Sequence, residues 1–180
     1  MAGRPRKIVV IGTTCSGKSS LARRLAEHEG RPYVELDALH WGPNWSAPSD
    51  VEFKALVLPA IDSDAWVVDG SYHGKLGDLV LEQADLVVWL DLPLRTILPR
   101  LLSRTLDRVR TGVELWNGNR ETWRGAFLSR DSLFLWVLTT HRDRRRRYEA
   151  RLARYNMVRL RSSREAEAWL ERELSAPTAT

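Results

Sequence analysis

The residues best suited to chemistry come early. "VVIGTTCSGKSSLARRLAEHEG", Val9 to Gly30, holds Gly12, four intervening residues, then Gly17-Lys18-Ser19. Glycines at that spacing let the backbone turn so that consecutive N–H groups face one point, and the helix that follows adds its dipole there. That is a cradle for phosphate, the P-loop pattern. Lys18 carries positive charge to the outer phosphates, and the Ser19 hydroxyl is an oxygen donor for Mg²⁺. The run Gly12, Thr13, Thr14, Cys15, Ser16, Gly17, Lys18, Ser19 and Ser20 is therefore expected to wrap the phosphates of ATP. Cys15 stands where only the backbone matters and reads as a small filler.

Two acids and a set of arginines join this loop. Asp37 closes a short strand pattern, Tyr33 to Leu36, and Asp69 closes the apolar run "AWVVDG", Ala65 to Gly70. Ligands gather beyond the carboxyl ends of parallel strands, and a carboxylate at Asp37 would accept the proton of an acceptor hydroxyl. Just past it, Trp41 and Trp45 lie in a Gly/Pro/Asn loop. Their indoles either stack on a base or sugar face or plug the sheet's edge; His40 reads as structural. Arg104 and Arg108 sit four apart on a helix pattern, Thr96 to Arg110, with Arg100 on the same line and taken as solvated. Arg120 and Arg124 fall in "TGVELWNGNRETWRG", Thr111 to Gly125, which breaks the periodicity and reads as a mobile lid. Phosphoryl transfer spreads negative charge over equatorial oxygens, so arginines near the phosphate are expected to act in catalysis. The order of expectation is Arg120, Arg104, then Arg108 and Arg124. The run Arg144 to Arg147 points in four directions about 100° apart on a helix and reads as a solvated surface, with phosphate or nucleic-acid contact as the alternative.

The elements that must position these residues alternate as strand and helix, which predicts a parallel sheet covered on both faces. Strands are expected at Lys7–Ile11, Tyr33–Leu36, Ala65–Gly70, Ala84–Pro93 and "MVRLRS". Helices are expected at Lys18–Glu29, about Asp50–Ile61 with Ser49 or Asp50 as cap, Thr96–Arg110, through "HRDRRRRYEARLARY", and at Ser163–Leu174. Leu98, Leu102 and Val109 are expected to form the apolar face of the fourth helical segment's predecessor, Thr96–Arg110.

The chain of 180 residues, 43% hydrophobic and 28% charged with a net charge of +5, has the composition of one globular domain. No apolar run reaches the roughly 18–20 residues needed to span a bilayer, and one cysteine permits no internal disulfide. These features predict a cytoplasmic protein, monomer or homodimer, with no membrane partner. The arginine excess leaves nucleic acid as a weaker alternative partner.

"VELDALHWGPNW", "WVVDGSY", "LVVWLDLP" and "ELWNGNRE" complete the pattern. Together with the P-loop, they resemble the adenylate-kinase-like branch of P-loop kinases, which includes nucleotide, shikimate and gluconate kinases. Within it they are most similar to the small topology-modulation proteins, also known as adenylate-kinase-like ATPases. The resemblance covers nearly the whole chain. It implies a three-layer αβα fold with a five-stranded parallel sheet in order 2-3-1-4-5, an acceptor-binding segment at about 37–62, a short arginine-bearing lid at about 111–125, and a tail at about 175–180. It also implies that Asp37 and Asp69 hold water on Mg²⁺ beside Ser19, and that Arg161 lies in the loop bordering the adenine. The chain departs from adenylate kinases in having Asp69-Gly70-Ser71-Tyr72 after its third strand and no long lid, which argues against AMP as acceptor. No Asn-Lys-x-Asp base-reading motif is present, and no acid follows Asp69 to activate water. The expected activity is transfer of the γ-phosphate of MgATP to a nucleotide, nucleoside or hydroxylated metabolite. The alternatives are an ATP-binding, nucleic-acid-associated regulator and a nucleotide-sugar kinase of the zeta-toxin type.

Overall fold

The computed structural model describes residues 5–123 and 133–175. Among them, five strands form one parallel sheet: β1 (Lys7–Gly12), β2 (Tyr33–Glu35), β3 (Trp66–Asp69), β4 (Leu86–Leu90) and β5 (Met157–Leu160). Their order is β2-β3-β1-β4-β5, as expected. Every strand runs parallel to its neighbours. Register does the positioning: Glu35 pairs with Asp69, and Val10 pairs with Asp69 from the other side. The acidic ends of β2 and β3 thus lie level with the start of the phosphate loop.

Alternation along β1 splits the core between two layers. Val9 and Ile11 pack with Phe53, Val57, Trp66 and Trp89 on one face, whereas Ile8 and Val10 pack with Leu21, Leu25 and Trp169 on the other. The first face is covered by α3 (Asp50–Ala60), α4 (His73–Leu76), α5 (Leu79–Glu82) and the end of α7 (Leu133–Leu152); the second by α1 (Lys18–Glu29) and α8 (Ser163–Ser175). A smaller cluster joins α6 (Leu94–Thr111) to α7 through Ile97, Leu101 and Val137.

Local chemistry sets the boundaries. Gly30 ends α1 in the left-handed conformation, and its N–H closes onto Ala26 and Glu27. Ser49 and Glu52 form a reciprocal capping box at the start of α3, which selects Ser49 over Asp50 as the cap.

Three expectations need correction. Strand β2 stops at Glu35, and Asp37 lies in the first turn of a short helix, α2 (Leu36–His40). Leu36 is fully buried under this turn and belongs to the helix, not the strand. On α6 the buried stripe is Ile97, Leu101 and Thr105, while Leu102 is 43% exposed. The helix is rotated by one residue, about 100°, because its inner face must bring both Thr105 and the arginines to the cleft. Finally, α7 begins at Leu133, well before the basic run, and ends before Tyr155. The expected tail beyond residue 175 lies outside the described residues. Among the described residues, no helix is long and apolar enough to cross a membrane.

Candidate active site

The loop from Gly12 to Gly17 is built as its spacing predicts. A Cβ on Gly12 would stand 2.6 Å from Ser16 Oγ and 2.9 Å from the Leu90 carbonyl, so only glycine fits there. Gly17 has φ +93° and caps α1 with no side-chain bond to its first amides. Those amides stay available to an anion at the helix N-terminus. Cys15 also has positive φ, 59°, and packs against the Leu92–Leu101 cluster. It is a filler with a strained backbone, held because the loop must turn there.

Lys18 lies across this loop from the acids. Its ammonium is 3.0 Å from Asp69 Oδ1 and 3.9 Å from Asp37 Oδ2. Burial works against the charged lysine, but Asp69 and then Asp37 outweigh it and hold its pKa above the ordinary value. Asp69 is buried, and its Oδ2 accepts from the Tyr33 hydroxyl at 3.2 Å. Its Oδ1 has the lysine's charge beside it but no hydrogen bond of good geometry. Asp37 accepts a 2.6 Å hydrogen bond from Tyr72. Burial, then Asp37, pushes the Tyr72 phenol upward, so it stays a donor.

Around this centre lies a cleft of about 1440 Å³. Gly12, Thr14, Cys15, Gly17, Lys18, Ser19, Ser20 and Asp37 line it, as do Arg104, Arg108 and Arg120. Thr13 and Ser16 are buried beneath the loop, and Ser16 Oγ has no partner. Arg104 donates to Thr14 at 3.1 Å, and Arg108 pairs with Glu121 at 2.8 Å. Arg120 is exposed and has no ion-pair partner among the described residues. Arg124 lies outside the described residues. Arg161 is not part of the cleft lining; its N–H bonds to Glu165 at the start of α8.

An Asp69 carboxylate oxygen that pairs with Lys18 but accepts no hydrogen bond, and the hydroxyl of Ser19, suit Mg²⁺, which keeps several waters and needs few protein ligands. Among the described residues, no group of three or more His, Cys, Asp or Glu could hold an ion by itself. Ser19 would bind the metal directly, with Asp37 and Asp69 reaching its waters.

One expectation about a side chain fails here. Arg144 is not a solvated surface residue: it donates to Thr13 Oγ1 at 2.7 Å, stacks on Trp136 at 4.3 Å, and lines the cleft. Arg147 and Arg151 line it too, whereas Arg145 turns away to Asp91 at 3.0 Å. The four side chains do point apart, and only Arg144 is half-buried; Arg145, Arg146 and Arg147 are exposed. The signal was Arg144-Arg147-Arg151, an i, i+3, i+7 face. The segment after α6 is bonded to the loop after α2. Asn119 is buried; its carboxamide accepts from the Trp45 N–H at 2.8 Å and donates to the carbonyls of Gly42 at 2.9 Å and Trp116 at 2.7 Å. Asn117 donates to Trp41 O, and Trp116 Nε1 donates to Glu35 at 3.1 Å. A buried polar side chain with every bond made fixes the two loops to each other.

Glu35 was not foreseen. It lines the cleft, and burial, then Asp69, raises its pKa. Tyr72 was quoted in a motif without a role. His40 is buried among Trp41, Phe53 and Tyr72, at ring distances of 4.7, 5.0 and 4.6 Å, and is structural as expected.

No family model and no curated protein sequence matches the chain. Solved structures do. A gluconokinase from Sinorhizobium meliloti 1021 is 25% identical, with 96% of this chain and 95% of that chain covered and a TM-score of 0.52. A sugar kinase from Janibacter sp. HTCC2649 is 20% identical over 96% and 94% of the two chains, with a TM-score of 0.54. The shikimate kinase of Acinetobacter baumannii, in complex with shikimate, is 17% identical over 94% and 90%, with a TM-score of 0.56. The fold is that of the adenylate-kinase-like P-loop kinases.

Proposed function

We propose that the protein is a phosphotransferase that moves the γ-phosphate of MgATP to a hydroxyl of a small acceptor. The observation that carries this reading is the placement of Asp37: an acid 3.9 Å from the phosphate-loop lysine, held by the Tyr72 hydroxyl, and facing the same cleft. The cleft of about 1440 Å³ that Asp37 lines leaves room for an acceptor beside the triphosphate, which supports transfer over hydrolysis.

The loop N–H groups and Lys18 would bind the triphosphate, and Mg²⁺ on Ser19 would supply charge neutralisation between its outer phosphates. The acceptor hydroxyl oxygen bonds to the γ-phosphorus as the bond to the β-phosphate oxygen breaks, releasing ADP. Its proton passes to the Asp37 carboxylate, which the Tyr72 hydrogen bond orients. Arg104 and Arg144, fixed on Thr14 and Thr13, put positive charge where negative charge builds up in transfer. Lys18 stays protonated throughout because two acids hold it so.

The gluconokinase, sugar kinase and shikimate kinase among the neighbours support a small, hydroxylated acceptor for this chain too. The resemblance to topology-modulation proteins adds no acceptor of its own. The test is acceptor-dependent ADP formation across a metabolite panel. Asp37→Asn should keep ATP binding and lose transfer by about 10²-fold or more, the usual scale for a proton-transferring group. Transfer at the wild-type rate in Asp37→Asn removes Asp37 from the reaction.

A further inference from the structure

Two features of the cleft are not used by ATP binding or by Asp37. The first is a set of three indoles. Trp41 and Trp45 pack edge to face at 5.5 Å, and both line the cleft together with Trp116 of the neighbouring segment. The indoles are held in place before any ligand arrives. Asn119 bonds to the backbone at Gly42, Trp45 and Trp116 together, Asn117 bonds to Trp41, and Glu35 anchors the Trp116 ring. Two matched turns make this possible: Asn44 and Asn117 both have φ 56°, a region asparagine tolerates better than most side chains.

The second feature is charge. Among the described residues, ten lysines and arginines line the cleft against three carboxylates. Lys18, Arg23, Lys75, Arg108 and Arg151 each have an acid within 4 Å. Arg104 and Arg144 stand on the phosphate loop. Arg100 donates to Ser163, while Arg120 and Arg147 have no acid partner among the described residues; Arg147, exposed, stands on α7 between Arg144, tied to the loop, and Arg151, tied to Asp78. A second anion is therefore expected in the cleft besides the triphosphate.

We propose that the acceptor is a ring-bearing anion: a molecule whose ring lies on the Trp41–Trp45–Trp116 box and whose phosphate or carboxylate is met by Arg147. This rests on the phosphotransferase reading and narrows it. Flat rigid rings match three indoles fixed in place, and an open chain forfeits that contact. Asn119 is then a positioning residue, acting through the tryptophans it holds.

The test pairs compounds that differ in one feature, in the presence of a non-hydrolysable ATP analogue and Mg²⁺. Binding is read by tryptophan fluorescence and calorimetry, and transfer by ADP formation with ATP itself. The probes are uridine monophosphate against uridine, glucose 6-phosphate against glucose, and gluconate as an open-chain anion. A nucleoside monophosphate or a cyclic sugar phosphate should bind at least about tenfold tighter than its neutral partner and than gluconate, the scale of one charge-assisted hydrogen bond. Which of the two anions wins tells base from sugar ring. Arg147→Ala should erase the preference for the anion. Asn119→Ala should raise KM for the ring-bearing acceptor with little change in kcat or in ATP affinity, and Asn119→Asp should not restore it, because the donated bonds to Gly42 and Trp116 are lost. Binding of a ring anion without any transfer leaves the box standing and overturns the kinase reading. Transfer to gluconate or to a neutral partner at equal or better kcat/KM overturns the box while the kinase reading stands. Failure of every ring anion to bind overturns the box outright.

Discussion

Removing the Lys18 ammonium should do two separable things. The side chain of Asp69 is fully buried and that of Lys18 is 17% exposed, with 3.0 Å between their charges. Lys18→Ala strands a carboxylate whose remaining hydrogen bond is the one from Tyr33. Breaking a buried pair from one side costs about 3–5 kcal/mol, and the lysine's partial exposure places this case at the lower end, about 3 kcal/mol. At about 2–4 °C per kcal/mol for a chain of this length, Tm should fall by about 6–12 °C without nucleotide. The double variant Lys18→Ala/Asp69→Asn removes the stranded charge and should recover most of that loss. Binding is then tested apart from folding. Saturating MgATP, near 100 times its Kd, adds about 2.7 kcal/mol, or about 5–11 °C, to the wild type. Neither variant should show the shift, although the double variant is well folded. Differential scanning fluorimetry with and without MgATP reads both effects. A single variant as stable as the wild type would refute the pairing argument, and a full MgATP shift in the double variant would refute the site.

Arg104 is part-buried and already bonded to Thr14, whereas Arg120 is exposed with no acid partner among the described residues. Arg104→Ala should therefore weaken ATP affinity and kcat together, and Arg120→Ala should lower kcat much more than ATP affinity; the reverse pattern in steady-state kinetics would exchange their roles. His40 is held neutral by burial and by Lys75, which together outweigh Asp37 and lower its pKa below 6.5. A depressed histidine gives stability that is present above the unfolded value and lost as pH falls through the folded one. Denaturant titrations at pH 7.5 and 5.5 should thus show a smaller loss of stability in His40→Phe than in the wild type; equal losses would mean that His40 charges freely in the fold.

Much of this was readable from residue order. The strands themselves, the phosphate loop, α1 to its last residue and the acid at Asp69 follow from local patterns with one strong physical cause each: β-branched runs, glycine spacing, a helix stop at Gly30; the strand order came from the family resemblance alone. What failed was phase and partner. A helix's periodicity names a face but not its rotation when a threonine is buried in place of a leucine, as at Thr105 on α6. Arginine runs look solvated because charge is normally exposed. Nothing local tells that Trp136, eight residues before Arg144, will carry its guanidinium onto Thr13. Glu35 was overlooked for a simpler reason. On a strand it lies two residues before Asp37, and only the register with Asp69 brings it into the acid group.

Asn119 changes how closure of the site must be understood. A lid that swings freely needs few contacts with the body of the protein, yet residues 115–119 are bonded to residues 41–45 at both backbone and side chain. The two loops must move together or not at all. On the proposed reading, any closure over the phosphates would carry both loops as one body, with the indoles keeping the arrangement they already have. Exclusion of hydrolysis and selection of the acceptor are then one event. Arg120, the residue after Asn119, would arrive with the acceptor rather than with ATP. Its charge would meet the γ-phosphate only when a hydroxyl is already in place beside Asp37.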